Sequence, residues 1–391
     1  MKIDLKIASI LLAFFLVACG TDKQKTLAAF EVYCEMVSNT AKPLALSPIF
    51  EPEEADALEL EFFSIADSLG LKIFREDHFP VTALYDGAYT DGKTIFGIYK
   101  DEARKFQYDL LKFDIEAGNG TPIELGRRMG RLLGYSPQGI NELLMANSDF
   151  KAYSSLDVQE QITHLYYENV ERALSFYAET LGLTKVGENR FQIGVDALIQ
   201  INPVSDEYPA DLPKSTAIAL LTDQLPEWYE YVQQKGIEIK YTYKPRDGGP
   251  HDGFVAIDPE GYLLEFEQFK QHPENELFVA ALASAPKLAT GIDGLSFYGS
   301  ITWTYHEDLL AQQNFYDEVM GFQMVADQGW TKIYQTSWSG FIGLVDERRG
   351  MEDYADQKGV KLEWRIKEEI DGANLKSSFF GPEKYQYVFK K

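Results

Sequence analysis

Glu265 stands in the run Tyr262-Leu-Leu-Glu-Phe266, a carboxylate between Leu264 and Phe266 on an otherwise apolar, strand-like segment. A charge in that company needs a reason, because an unpaired buried carboxylate is costly. A divalent metal would supply one, and with it Lewis-acid chemistry. Simple alternation would supply another, with Glu265 and Glu267 both turned to solvent. The chain has five His, the residue type suited both to metal ligation and to proton transfer. His164 lies in the strand-like run Ile162 to Tyr167, where it can ligate, act as a base or serve as a hydrogen-bonded structural residue. His251 lies in a Gly/Pro loop before a hairpin, and His306 at a strand end that reads as solvent-facing. Arg127, Arg128 and Arg131 form a basic cluster suited to an anion or a partner, or to pairing with nearby acidic surface. Cys34 has no catalytic motif around it.

The elements that must position these groups are set by an internal repeat. Gln161 to Leu183 returns without a gap as Ser300 to Phe322, with Ile162/Ile301, Thr163/Thr302, Tyr166/Tyr305, Phe176/Phe315, Tyr177/Tyr316 and Gly182/Gly321 identical. Each copy must then be one structural unit. In the first, Ile162 to Tyr167 is strand-like, and Glu171 to Leu181 has helical spacing and stops at Gly182. Arg190 to Ile201 reads as a hairpin. A second round follows. Thr216 to Leu221 reads as a strand, Pro226 to Gln234 as a helix ended by Gly236, and Ile237 to Tyr243 as a strand. A hairpin closes the round around Asp258-Pro-Glu-Gly261. Further along the second copy the offset between matched residues falls from 139 to 123, through Gln234-Lys-Gly236/Gln357-Lys-Gly359 and Tyr262/Tyr385. That loss of 16 residues predicts a missing or shortened strand pair where the first copy has its hairpin and Pro loop.

Residues 27–150 mix helix-like and strand-like segments. Thr121-Pro-Ile-Glu124 predicts a helix start, with Thr as cap and Pro at the first position, running to Leu133 and stopping at Gly134. Ser136-Pro137 opens another helix, and Thr94 to Tyr99 reads as a strand. Residues 146–159 read as a linker.

The strand-helix-strands order, twice per copy, resembles the paired βαβββ modules of the vicinal oxygen chelate superfamily, home of glyoxalase I, bleomycin- and fosfomycin-resistance proteins and extradiol dioxygenases. Val170 to Leu183 looks like that family's first helix, and Asp258 to Phe266 like its closing hairpin. The resemblance covers 161–269 well, 300–391 less well and 27–150 not at all. It implies an α+β fold in which paired βαβββ modules form two tandem domains, residues 160–270 and a shortened 294–391 joined by a linker over 271–293, after an unassigned α/β region. It further implies a cup-shaped sheet whose floor holds a divalent metal. Glu265 matches the family's last-strand Glu. The first-strand position falls on Ile162, two residues from His164 on the same face, and the strand opening the second half offers Thr216. The metal candidates are therefore Glu265 and His164, with Tyr166, Thr216 and His251 lining the cup. In the second copy Ile301, Ser339 and Val388 take the corresponding positions, so that copy reads as structural. It would complete the sheet pairing that other members obtain by dimerising, and no oligomer is required. The implied activity is that of a metal-dependent lyase, isomerase or dioxygenase acting on a small organic molecule. The competing expectation is a metal-free small-molecule-binding or scaffold protein.

Lys2 and Lys6 precede an apolar run from Ile7 to Ala18, then Cys19-Gly20. About a dozen apolar residues are too few to span a bilayer, and the pattern is that of a secretory signal. Leu16-Val-Ala-Cys19 resembles a bacterial lipobox. That implies a signal peptide over 1–18, lipidation of Cys19, a tether over 19–26 and a place in the cell envelope, anchored at the outer membrane facing the periplasm. Net charge is −24. Such acidity repels phosphate backbones and excludes nucleic acid as a partner. It also leaves the lipid, rather than the protein surface, as the membrane link. The composition, 45% hydrophobic and 25% charged, is that of a globular protein with material for two or three cores.

Overall fold

The computed structural model describes residues 23–85, 87–147, 151–370 and 375–391, which divide into two compact units before and after residue 150. The apolar run 7–18 and Cys19 lie outside the described residues. Among those described, no helix is long and apolar enough to cross a membrane.

The first unit runs α1 (Lys23–Ser38), β1 (Leu44–Leu46), α2 (Pro52–Ser68), β2 (Lys72–Glu76), β3 (Ile95–Tyr99), α3 (Glu102–Ala117), α4 (Pro122–Leu132) and α5 (Pro137–Asn147). The strands form an antiparallel sheet in the order β1-β3-β2. Its core is aromatic, with Phe30 stacked on Phe62 at 3.9 Å between ring centroids and Phe96 edge-on at 5.2 Å. Thr121 caps α4 as its sequence predicts, its hydroxyl accepting the Glu124 N–H at 3.2 Å. Residues 23–26, read as tether, are instead the first turn of α1. Arg128 pairs with Asp114 at 2.8 Å and Arg127 is buried, so the basic cluster is in part internal structure. Cys34 is buried, and burial, then the charge of Glu31, pushes its thiol up to about 12; such a thiol is a poor nucleophile at neutral pH.

The second unit begins with β4 (Val158–Tyr167), α6 (Val170–Ser175, continuing as a π-turn to Thr180), β5 (Thr184–Gly187), β6 (Arg190–Gln192) and β7 (Ala197–Pro203). It continues with β8 (Thr216–Leu221), α7 (Leu225–Gln234), β9 (Ile239–Tyr241), β10 (His251–Ile257) and β11 (Leu263–Phe269). Next come α8 (Glu276–Ala283), the short pair β12 (Leu288–Ala289) and β13 (Ser296–Phe297), then β14 (Gly299–His306) and α9 (Leu309–Phe315, with a π-turn to Met320). It ends with β15 (Gln323–Asp327), β16 (Thr331–Gln335), β17 (Gly340–Asp346), β18 (Val360–Ile366), β19 (Ser378–Phe380) and β20 (Gln386–Lys390). Apart from the β12–β13 pair, these strands make two mixed sheets, β15-β16-β17-β14-β8-β11-β10-β9 and β19-β20-β18-β4-β7-β6-β5.

Neither sequence copy makes a sheet by itself. The eight-stranded sheet joins the second half of the first copy (β8–β11) to the first half of the second (β14–β17), through the antiparallel pair β14–β8. The seven-stranded sheet joins the two remaining halves through the antiparallel pair β18–β4. Helices α6, α7 and α9 pack between them over a shared aromatic core that includes Tyr177, Trp228, Tyr316 and Trp364.

The hydrogen bonds repeat with the chain. The N–H of Tyr166 donates to the Tyr262 hydroxyl (2.8 Å), which donates to the Gly359 carbonyl (2.9 Å). In the second copy the Tyr305 N–H donates to Tyr385 (2.8 Å), which donates to Ser215 O (2.7 Å). Glu260 accepts from the N–H groups of Glu168 and Asn169, and Glu383 from those of Glu307 and Asp308. The turn glutamate is thus a remote cap for the first helix of its own copy, satisfying donors that a helix start leaves open.

This symmetry corrects the alignment of the second copy. Gly359 is the counterpart of Ser215, so β18 corresponds to β8, and the partner of Thr216 is Val360 rather than Ser339. The hairpin expected to be lost, the counterpart of β6–β7, is present as β16–β17. Among the described residues, no helix or strand corresponding to α7 and β9 stands between β18 and β19, which only residues 367–377 separate. The Gln357-Lys-Gly359 match misled because it falls before a strand, whereas Gln234-Lys-Gly236 ends a helix.

Candidate ligand site in the eight-stranded sheet

Register places Glu265 opposite Ala219, Ala219 opposite Ile301 and Ile301 opposite Phe341. Side chains in one such row share a face, so the cup floor carries one carboxylate and three apolar groups. The equivalent row of the seven-stranded sheet is Val388, Glu363, Ile162 and Leu198. It too has a single carboxylate.

His164 and Glu265 do not converge, because they stand on different sheets. His164 lies 3.4 Å from Glu363, which also faces Lys390 Nζ at 2.9 Å and Arg365 Nε at 3.1 Å. None of these ion pairs closes an aligned hydrogen bond. Burial pulls the His164 imidazole down and outweighs the lift from Glu363. Burial pushes Glu363 the other way, but His164 and Lys390 hold it down at about 2. His164 is thus a neutral, buried partner of an ion-paired glutamate.

Thr216 does not line the cup. It is fully buried and its hydroxyl donates to the Trp303 carbonyl at 2.8 Å, on the opposite face from Ala217 and Ala219. Tyr166 is covered by Tyr208, stacked at 3.9 Å. Tyr208 also borders a cleft of about 520 Å³ that includes Lys358, whose amine sits 4.0 Å over Tyr354 and 4.5 Å over Tyr385. That cleft holds none of the carboxylates of the two rows. His306 is fully buried between Thr304 and Glu383 rather than solvent-facing, its Nδ1 2.8 Å from Glu383.

His251 is the residue that geometry brings to Glu265. Val255 pairs with Glu265 and Gly253 with Glu267, which puts His251, Glu265 and Glu267 on one face. His251 Nδ1 is 2.7 Å from Glu267 Oε1, and its ring stacks on Phe269. Burial alone would lower the imidazole, but the bond to Glu267 and the charges of Glu267, Glu265 and Asp252 push it up to about 9. Burial, then the charge of Glu267, raises Glu265 to about 8, against the opposing pull of His251 and the nearby Trp303 indole. These groups line a cavity of about 80 Å³ with Trp303, Tyr305 and Trp330. Its size matches two or three waters, well below an ordinary ligand pocket.

The rest of the cup is filled from the segment read as a linker. Helix α8 sends Phe278 onto Phe341 (4.7 Å) and Phe269 (4.5 Å), and Asn275 anchors its start by donating to the Pro250 carbonyl at 2.7 Å. Sequence reasoning missed Trp303 as a site residue. Its signal was alternation, since it shares a strand face with Ile301, as does Tyr305.

A divalent metal does not fit these residues. Three of the four floor positions carry no donor, and among the described residues no group of three His, Cys, Asp or Glu is disposed to hold an ion.

Known structures share parts of this chain at low identity. Glyoxalase I from Zea mays aligns at 15% identity and TM-score 0.38, over 60% of this chain and 91% of its own. A putative dioxygenase from Bacillus subtilis subsp. subtilis str. 168 aligns at 13% and 0.40, over 61% and 86%. A glyoxalase/bleomycin resistance protein/dioxygenase from Alicyclobacillus acidocaldarius aligns at 20% and 0.23, over 28% and 90%. No curated protein sequence matches the chain. The first copy, where the helix and closing-turn motifs are both kept, is the stretch with a family of its own: residues 160–266 match the Glyoxalase/Bleomycin resistance protein/Dioxygenase superfamily.

Proposed function

We propose that residues 151–391 form a metal-free small-molecule-binding module on a glyoxalase-type fold, carried by a lipid-anchored protein of the cell envelope. The observation that supports the binding reading is the row Glu265–Ala219–Ile301–Phe341, in which the donors a chelate needs are replaced by apolar groups. What remains at the floor is a hydrogen-bonding pocket, and hydrogen bonding in a dry site is enough for recognition. The lipid anchor rests on Leu16-Val-Ala-Cys19 after an apolar run.

Elemental analysis of the purified full chain, grown with zinc, nickel, iron and manganese supplied, tests the binding reading. Sub-stoichiometric metal in wild type and in Glu265→Ala alike is the expected result. Stoichiometric metal that disappears in Glu265→Ala would sink it and restore a metal-dependent lyase, isomerase or dioxygenase. Detergent phase partitioning tests the anchor: wild type should enter the detergent phase and Cys19→Ser should not.

A further inference from the structure

Three buried polar atoms of the 80 Å³ cavity have no hydrogen-bond partner: Trp303 Nε1, Tyr305 Oη and Glu267 Oε2. All three residues are more than nine-tenths buried. Each such atom carries an uncompensated desolvation cost if nothing meets it, and native proteins seldom leave several in one place.

The two rings cannot turn away, because glycine backbones lie against them. A Cβ on Gly343 would fall 1.9 Å from the Trp303 ring, and one on Gly350 would fall 2.5 Å from that of Tyr305. Glu267 is fixed through its other oxygen, which binds His251. Glu265 lies beside the Trp303 N–H without closing a bond.

The chemistry of the unmet atoms is specific. An indole only donates, a phenol donates and accepts, and an ionised carboxylate only accepts. A ligand that meets all three needs an acceptor oxygen and an N–H or O–H beside it. A carboxylate would bring a second negative charge onto Glu267. An alkylammonium, which has no acceptor, would leave the Trp303 N–H unmet. A planar amide meets all three, and its neutrality suits a site whose charges, Glu267 and His251, are already paired.

We propose that this pocket receives a primary carboxamide group, its oxygen accepting from Trp303 and Tyr305 and its N–H donating to Glu267. The rest of such a ligand leaves past Trp330 and Met351, which also border the cavity. The assignment rests on the metal-free reading above.

The test is calorimetric titration of the full chain with three probes of similar size, acetamide, acetate and methylammonium, with tryptophan fluorescence as a second readout. Acetamide should bind at least about tenfold more tightly than either ion, a difference of about 1.4 kcal/mol. Tyr305→Phe removes an oxygen that bonds nothing in the structure, so it should melt like wild type yet weaken acetamide by about tenfold. Preference for acetate or methylammonium would overturn the ligand class while leaving a metal-free pocket standing. No response to any probe would assign the cavity to water and overturn the proposal. Failure of the underlying reading shows separately, as stoichiometric metal.

Discussion

Thr163 and Thr302, the same position in the two copies, share a hydrogen bond of 2.6 Å between their hydroxyls. One stands on β4 and the other on β14, so this contact ties the two sheets at the point where the repeat meets itself. Gln161 reinforces it, donating to Thr302 (3.3 Å) and to the Phe341 carbonyl (3.1 Å). Thr163→Val keeps the shape but strips Thr302 of one partner, and should cost about 1–2 kcal/mol in urea unfolding. The double variant Thr163→Val/Thr302→Val should cost less than the two singles added, by at least about 0.5 kcal/mol. Strict additivity would mean that the hydroxyls do not interact.

Tyr262 and Tyr385 each bridge one copy's first module to the other copy's second. Removing either hydroxyl leaves a buried N–H and a buried carbonyl unmet. Tyr262→Phe and Tyr385→Phe should therefore each lower stability by about 1–3 kcal/mol, and by similar amounts. A loss at Tyr262 alone would show that the second copy is not held as the first is.

Acid should destabilise through the His164–Glu363 cluster. Glu363 has its folded value lowered to about 2, so its contribution is full above the ordinary carboxylate range and is lost as pH falls toward 2. His164 is also lowered, so the unfolded chain takes up its proton first and stability begins to fall below about pH 6.5. Glu363→Gln should cost about 3 kcal/mol at pH 7 and flatten the acid limb of a melting-temperature profile. An unchanged limb would place the acid sensitivity elsewhere.

Alkali should act through the opposite cluster. Glu265 is raised to about 8, so the folded state holds a proton the unfolded chain has released, and stability falls as pH climbs from the ordinary carboxylate range through 8. His251, raised to about 9, adds stability that is present below about pH 6.5 and lost through 9. Melting temperature should drop between pH 7 and pH 9.5, and Glu265→Gln should shrink that drop. A steeper drop in the variant would reverse the assignment.

Phe278 plugs the cup from the inter-copy segment. Phe278→Ala should cost about 3–5 kcal/mol and open an apolar cavity over Ile301 and Phe341. Enhanced fluorescence of an apolar dye on the folded variant is the expected signature, and an unaltered dye response would mean that the cup collapses instead.

What could be read beforehand followed local chemistry. Thr121 and Pro122 at a helix start, Thr216 to Leu221 as a strand and the Asp258-Pro-Glu-Gly turn all depend on residues near one another in the chain, and the structure has them at or near those places. The role of Glu260 as a remote cap was not visible, because it depends on donors some ninety residues earlier. The site was legible only in part. Glu265 stood out as a carboxylate in apolar company, and His251 was legible beside it through the closing hairpin, but Trp303 and Tyr305 come from β14, whose pairing with β8 no local pattern reveals. His164 looked equally suitable until register put it on the other sheet.

Each half of the first copy meets its sheet partner only when the second copy is present, with β4 pairing to a strand that begins at Val360. In an assembly of separate subunits such pairing would be subject to mass action, and dilution would undo it. Here both partners belong to one covalent chain, so the joined sheets should be as stable at nanomolar as at millimolar protein. The same arrangement delays closure during synthesis: the edges of β4 and β8 stay open until most of the chain has been made, which is the interval in which intermolecular strand pairing is most dangerous.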